Sequence, residues 1–157
     1  MKTIFNLRLA NHKDMDLIYI WSNDKFSRIN SFNKSRIIYT NHKLWFKRIL
    51  KNKSIYIFTK NKKPFGLVRF SNFNKGIKIS YLISPKNRGH SLGSKMISLF
   101  CKKIKKSRKF NYKKIYAFTL KNNISSSKTL IKSGFKYLGI KYQKNCYLKK
   151  IDENKKS

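Results

Sequence analysis

Acidic residues are almost missing from this sequence. Five Asp and Glu stand against 39 Lys and Arg in 157 residues, a formal net charge of +34. The five are Asp14, Asp16, Asp24, Asp152 and Glu153, so residues 25–151 contain no carboxylate. General-base chemistry by a carboxylate has little to draw on in the middle of the chain. Cysteine is scarce as well. Cys101 and Cys146 form no cluster with metal-ligand spacing, and a reduced cytoplasmic protein is the simplest reading. No apolar run approaches the length of a membrane span, and Met1-Lys2-Thr3-Ile4-Phe5-Asn6 lacks the hydrophobic region of a signal peptide.

What is present suits a globular protein: 40% of residues are apolar and 15% aromatic. The length predicts one domain over residues 1–151, with 152–157 as a frayed tail. A basic excess of this size ordinarily points to nucleic acid or an anionic membrane. Here the basic residues are spread over the whole length and are mostly Lys. They accompany abundant Asn, Ile, Phe, Tyr and Ser, as expected when a genome is rich in A and T. We read the charge as compositional drift. A nucleic-acid role is the second reading, and neither zinc-finger spacing nor an aromatic RNA-binding signature supports it. No membrane partner is expected. The charge still draws polyanions toward the protein.

Residues 3–10 alternate and predict a first strand. From Asn11 the pattern turns helical through Met15, Ile18 and Trp21 until Ser22-Asn23-Asp24; residues 25–38 predict a loop with a short helical piece. Thr40 is the expected cap of a helix carrying Leu44, Trp45, Ile49 and Leu50. Three strands follow as a meander, with turns at 61–64 and 73–76. A helix then ends in the Lys-rich run 102–109, which reads as a solvated end suited to the C-terminal dipole. Next come a strand over 115–120, a helix over 125–133 ended by Gly134, and a hairpin of 135–142 with 146–151. This order, seven strands and four helices, is that of an α/β fold with a mixed sheet.

Residues 76–100 organise the chain. An alternating strand ends at Ser84-Pro85, and the loop Arg88-Gly89-His90-Ser91-Leu92-Gly93 follows. A helix opens from it with Leu92, Met96, Leu99 and Phe100 at helical spacing. Unpartnered amides and the dipole at a helix N-terminus, beside a Gly-containing loop, suit a phosphate or pyrophosphate. The loop is too short for a Walker loop, and its spacing is not the Gly-x-Gly-x-x-Gly of a dinucleotide fold. It does resemble the coenzyme A loop of the GCN5-related N-acetyltransferases, Arg/Gln-x-x-Gly-x-Gly/Ala after a strand. Arg88, Leu92 and Gly93 match, while Ser91 stands where the family usually has its first Gly. A serine hydroxyl there can donate to a phosphate oxygen.

Residues 123–135, Asn-Ile-Ser-Ser-Ser-Lys-Thr-Leu-Ile-Lys-Ser-Gly-Phe, resemble a second segment of that family, Asn-x-x-Ser-x-x-x-Leu/Phe-x-Lys-x-Gly-Phe, one strand after the loop. With both motifs in order, the resemblance covers Ile4 to Tyr147. It implies a twisted, mostly antiparallel sheet whose two motif-bearing strands splay apart, with the acetyl-pantetheine arm of acetyl-CoA in the gap. It also implies that Leu82, Ile83 and Ser84 meet the pantetheine, and that Arg88, Gly89, His90, Ser91, Leu92 and Gly93 meet the pyrophosphate. Asn123 and Ser126 fall near the thioester by the same resemblance, and Asn123 equally suits a helix cap. No metal is implied.

The N-terminal third resembles a narrower subgroup through Trp21-Ser22-Asn23-Asp24, Ser31-Phe32-Asn33 and His42-x-x-Trp45-Phe46. Its members acetylate nucleotide-linked amino sugars, among them a UDP-linked amino-dideoxy sugar on the way to pseudaminic acid. Ribosomal-protein N-terminal acetyltransferases share the layout less closely. Trp21, Phe32, Trp45 and Phe46 suit an aromatic wall for a sugar or uracil face, with Asn23, Asn33 and His42 toward substrate hydroxyls. Core packing is the alternative for Trp45 and Phe46, and a structural hydrogen bond the alternative for His42. A homodimer is left open.

The implied reaction is direct attack of a neutral amine on the acetyl thioester, with the oxyanion held by backbone N–H of the central strand. Relatives often carry Glu near the position of Lys78, and a Tyr acid where this chain has Leu130. His42, or Asp24 through water, are the remaining base candidates. The acid is unassigned; Tyr137 and Tyr142 lie close in sequence. An amine of pKa near 8 is about one-tenth neutral at pH 7, which costs about 1.4 kcal/mol, whereas a lysine costs several. The missing carboxylate therefore favours an amino sugar or α-amine over a lysine as acceptor.

Overall fold

The computed structural model describes residues 2–107 and 110–151. A seven-stranded sheet runs in the order β1-β2-β3-β4-β5-β7-β6. Its strands are β1 (Phe5–Leu9), β2 (Ile55–Lys60), β3 (Lys63–Phe73), β4 (Gly76–Ile83), β5 (Lys114–Thr119), β6 (Lys136–Lys141) and β7 (Lys144–Lys150). All neighbours are antiparallel except β4 and β5. Five α-helices cover it: α1 (Met15–Asn23), α2 (Lys25–Ile29), α3 (Tyr39–Lys51), α4 (Leu92–Lys106) and α5 (Ile124–Lys132). Among the described residues, no helix is long and apolar enough to cross a membrane.

β2 shows why the sheet is covered on both sides. Ile55 and Ile57 pack with Ile18, Trp21 and Phe46 of α1 and α3. The alternate residues Tyr56 and Phe58 pack with Met96, Phe100 and Ile104 of α4. Strand periodicity sends successive side chains to opposite faces, so a continuous apolar run marks a strand with a helix layer on each side.

Several boundaries differ from the sequence reading. The turns predicted at 61–64 and 73–76 are two-residue turns, Asn61-Lys62 and Asn74-Lys75, with every φ between 45° and 69°. Such left-handed pairs match the strand twist, and Asn tolerates the first position. β3 therefore begins at Lys63 and includes Pro64, admitted where the pairing with β2 shifts between Phe58 and Thr59. α3 starts one residue before Thr40, and its N-cap, Ile38, makes no side-chain cap bond. A 3-10 turn over Pro85–Asn87, unforeseen, precedes the loop. In the Lys-rich run, Lys103 is not simply solvated: its Nζ donates to the Leu7 carbonyl at 3.3 Å and lies over the Tyr56 ring. Arg108, Lys109 and the expected tail 152–157 fall outside the described residues.

Candidate active site

β4 and β5 pair over three residues only, Ile77–Ile79 against Ile115–Ala117. Beyond Ile79, β4 keeps its partner β3 through Ile83 but has none on the other side. Alternate residues of a strand present N–H and C=O to each flank, so this half of β4 offers backbone bonding groups to an open gap. Gly66 of β3 holds β4 in place here. A Cβ at residue 66 would stand 2.4 Å from the Leu82 carbonyl oxygen, so any larger residue pushes this part of β4 outward.

The expected loop lies at the end of this gap. Gly89 and Ser91 have left-handed backbone, with φ of 80° and 55°, and α4 begins at Leu92. A left-handed residue followed by a helical one turns successive N–H groups to one side, which makes an anion-binding concavity. Gly89 has nothing within 4 Å of a built Cβ, so its glycine serves conformation rather than space. Gly93 does serve space: its missing Cβ leaves room for Thr129 of α5, at 3.0 Å. Ser91 and His90 are exposed.

A family model for the acetyltransferase (GNAT) domain matches residues 5–136. The chain belongs to the GNAT acetyltransferase family. Solved structures share its fold at low identity. An N-acetyltransferase from Staphylococcus aureus Mu50 is 20% identical with a TM-score of 0.73, over 95% of this chain and 99% of that one. A domain from Methanocaldococcus jannaschii is 22% identical with a TM-score of 0.79, again over 95% and 99%. The aminoglycoside acetyltransferase AAC(6')-Ib, in complex with coenzyme A and kanamycin, is 17% identical with a TM-score of 0.79, over 94% and 95%. No curated protein sequence matches the chain.

Within this GNAT fold the residues expected at the coenzyme side come together around the gap, but not all with free groups. The Ser84 N–H is bonded to the Phe65 carbonyl and its hydroxyl accepts from Asn87. The Ile83 carbonyl accepts from Arg88 Nε at 3.2 Å. Asn123 caps α5, its Oδ1 accepting from the Ser126 N–H at 3.2 Å.

The residues expected at the acceptor side are mostly committed to the fold. His42 is 2% exposed, and its Nε2 meets the Met15 carbonyl at 2.8 Å. A carbonyl only accepts, so Nε2 carries the proton, and the ring sits among Tyr19, Trp45 and Phe46. This packs α3 onto α1 and leaves no open path for a substrate proton. Trp21 is 6% exposed in the α1–α3 core, where Trp45 is partly buried under the Arg69 guanidinium. Asn23 spends both side-chain atoms on the backbone of Ile37, donating to its carbonyl and accepting from its N–H. Asn33 folds its Oδ1 back onto the Ser35 N–H. Phe32 differs: it is 52% exposed, with Lys144 Nζ 3.6 Å from its ring centre.

Asp24 is also engaged. Its Oδ2 lies 2.7 Å from Arg88 Nη1 and accepts from the Ser27 N–H at the start of α2. Partial burial raises a carboxyl's pKa, but the Arg88 and Ser27 hydrogen bonds outweigh it, and Asp24 titrates below the ordinary carboxylate range. The other described carboxylates have partners too: Asp14 forms a two-point pair with Arg8, and Asp16 accepts from the Tyr39 hydroxyl.

Leu130, at the family's tyrosine position, is fully buried in the core. Tyr137 and Tyr142 are exposed on the β6–β7 hairpin. Sequence reading overlooked Tyr81, on the unpaired half of β4. Its hydroxyl donates to the Ser126 carbonyl at 3.2 Å, one helical turn before Leu130. Burial pushes its phenol up to about 12, so it stays protonated as a donor. The signal was the β4 alternation, which puts Tyr81 on the face of Ile77 and Ile79 toward α4 and α5. Neither cysteine offers a nucleophile: burial pushes Cys101 up to about 11 and raises Cys146.

Proposed function

We propose that this acetyltransferase moves the acetyl group of acetyl-CoA directly onto a primary amine, and that the acceptor is anionic: an amino-dideoxy sugar carried on a nucleoside diphosphate. The observation behind the acceptor is electrostatic. Every described carboxylate is already paired or hydrogen-bonded, within a chain of net charge +34. A polycationic aminoglycoside or a basic ribosomal N-terminus meets unscreened repulsion there, whereas a diphosphate is attracted.

In this reading the N–H groups of residues 89–93 cradle the coenzyme pyrophosphate, and the free flank of Ser80–Leu82 bonds the pantetheine arm. Backbone N–H of the same flank stabilises the tetrahedral oxyanion. The Tyr81 hydroxyl turns from the Ser126 carbonyl to hydrogen-bond the departing thiolate and keeps its proton; the proton shed by the attacking nitrogen passes to that sulfur or to water, giving amide and free thiol. No side chain acts as a strong base; the amine arrives neutral, which its low pKa makes inexpensive.

The test is free-thiol release from acetyl-CoA with UDP-linked amino sugars, kanamycin and N-terminal peptides as acceptors. Turnover with the sugar nucleotides and not with kanamycin or peptides is expected. Turnover with peptides or kanamycin alone overturns the acceptor assignment.

A further inference from the structure

Residues 23–37 form a closed loop of their own. The Asn23 side chain and the Ile37 backbone pin its two ends. Arg28 holds its interior, donating to the carbonyls of Ser22, Asn33 and Ser35 and to the Ser31 hydroxyl. A segment whose ends are joined and whose interior is filled by its own side chains is a compact unit on the surface. The outer contacts of this loop fall on both banks of the β4/β5 gap. On the β5 side, Phe32 lies under Lys144 of β7, next to Asn145, which pairs with Thr119 at the end of β5. On the β4 side, the Arg88 guanidinium bonds Asp24 at 2.7 Å and Ser27 Oγ at 3.0 Å, and stands 4.6 Å from the Phe26 ring centre. Its remaining Nε holds the Ile83 carbonyl.

We propose that Arg88 is a positioning residue that ties the 23–37 loop to the coenzyme loop, rather than a ligand of the pyrophosphate. This rests on the acetyltransferase reading for the identity of the ligand, but not for the tether itself. The guanidinium has its fork on Asp24 and Ser27, its plane on Phe26 and its Nε on the Ile83 carbonyl, so three of its five N–H donors are already engaged within the fold. Coenzyme binding, by ordering residues 88–93, then orders the segment across the mouth of the gap, which makes acceptor binding depend on coenzyme binding.

The experiment is amide hydrogen exchange of residues 25–33 with and without coenzyme A, beside the coenzyme A dissociation constant, for the wild type, Asp24→Asn, Asp24→Glu and Arg88→Gln. Asn keeps the cap on Ser27 N–H and removes only the charge, so the fold is retained. Expected are exchange in residues 25–33 about tenfold faster in Asp24→Asn and Arg88→Gln, with coenzyme protection of that segment lost, and recovery in Asp24→Glu. Coenzyme affinity then changes by less than about threefold, since no phosphate contact is removed. If Arg88→Gln weakens coenzyme A by tenfold or more, while Asp24→Asn leaves exchange as in the wild type, Arg88 is a phosphate ligand and the proposal fails. A wild type that binds no coenzyme A sinks the acetyltransferase reading instead, and the exchange difference without ligand still decides the tether.

Discussion

The two walls of the gap were built by different means. The proposed coenzyme wall, from β4 through the loop into α4, offers backbone groups: an unpaired strand flank and the first amides of a helix. The proposed acceptor wall, residues 11–51, presents side chains that mostly bond the segment's own backbone. A motif carries a backbone geometry faithfully, because Gly, Pro and helix-start residues dictate φ and ψ locally. A polar side chain has no such local rule. Whether Asn23 faces a substrate or the Ile37 backbone depends on where residue 37 lies, fourteen positions on.

The largest predicted effect is on the acceptor wall. His42→Ala is expected to cost about 2–4 kcal/mol of stability, from a cavity among three rings and a lost bond to Met15. Its kcat at saturation and its pH–rate profile stay as in the wild type, measured below the melting transition. A profile that loses a limb instead makes His42 the base and erases the contrast between the walls.

On the coenzyme wall, Gly66→Ala is expected to cost about 1–3 kcal/mol, because a Cβ there collides with the Leu82 carbonyl. Coenzyme A affinity falls about tenfold with it, since the displaced flank of β4 is the proposed binding surface; titration calorimetry reads the affinity and thermal unfolding the stability. Tyr81→Phe keeps the shape and removes the donor, so kcat drops about tenfold, or about 1.4 kcal/mol, with a small change in melting temperature. An unchanged kcat leaves Tyr81 as a strut between β4 and α5.

The Asp24–Arg88 pair adds a pH dependence whose sign follows from the lowered carboxyl. A depressed folded-state pKa stabilises above the unfolded value of about 3.9 and loses that contribution as pH falls through the folded value. Exchange protection of residues 25–33 is therefore steady from neutral pH to about 5 and declines below about 4, as pH falls toward the lowered folded value. The smallest effect is expected for Ser91→Gly. Relief of left-handed strain, about 1–2 kcal/mol, is offset by about 0.4–1 kcal/mol from the freer unfolded chain, leaving stability within about 1 kcal/mol.

How far the sequence could be read follows the same division. The order of strands and helices came from periodicity, and the loop and α5 segment pointed to the GNAT family, which the domain match over residues 5–136 shows. The boundaries that slipped include Pro64, which entered β3 because β3 bulges at Phe65 beside it, and Tyr39, where α3 began without the cap expected of Thr40. Tyr81 went unseen because the motif directs attention to the helix position now held by Leu130.

By itself the sequence determined the layering of helices on a mixed sheet, the Gly-containing turn into α4, and a surface with almost no negative charge. These follow from residue type and spacing, which act through local backbone preference and burial. Only the tertiary structure decided that Arg88 grips Asp24, that His42 is sealed between α1 and α3, and that the expected parting of β4 and β5 comes after three pairs. Each of these joins residues far apart in the chain, and which donor meets which acceptor is settled by packing, not by neighbours in sequence.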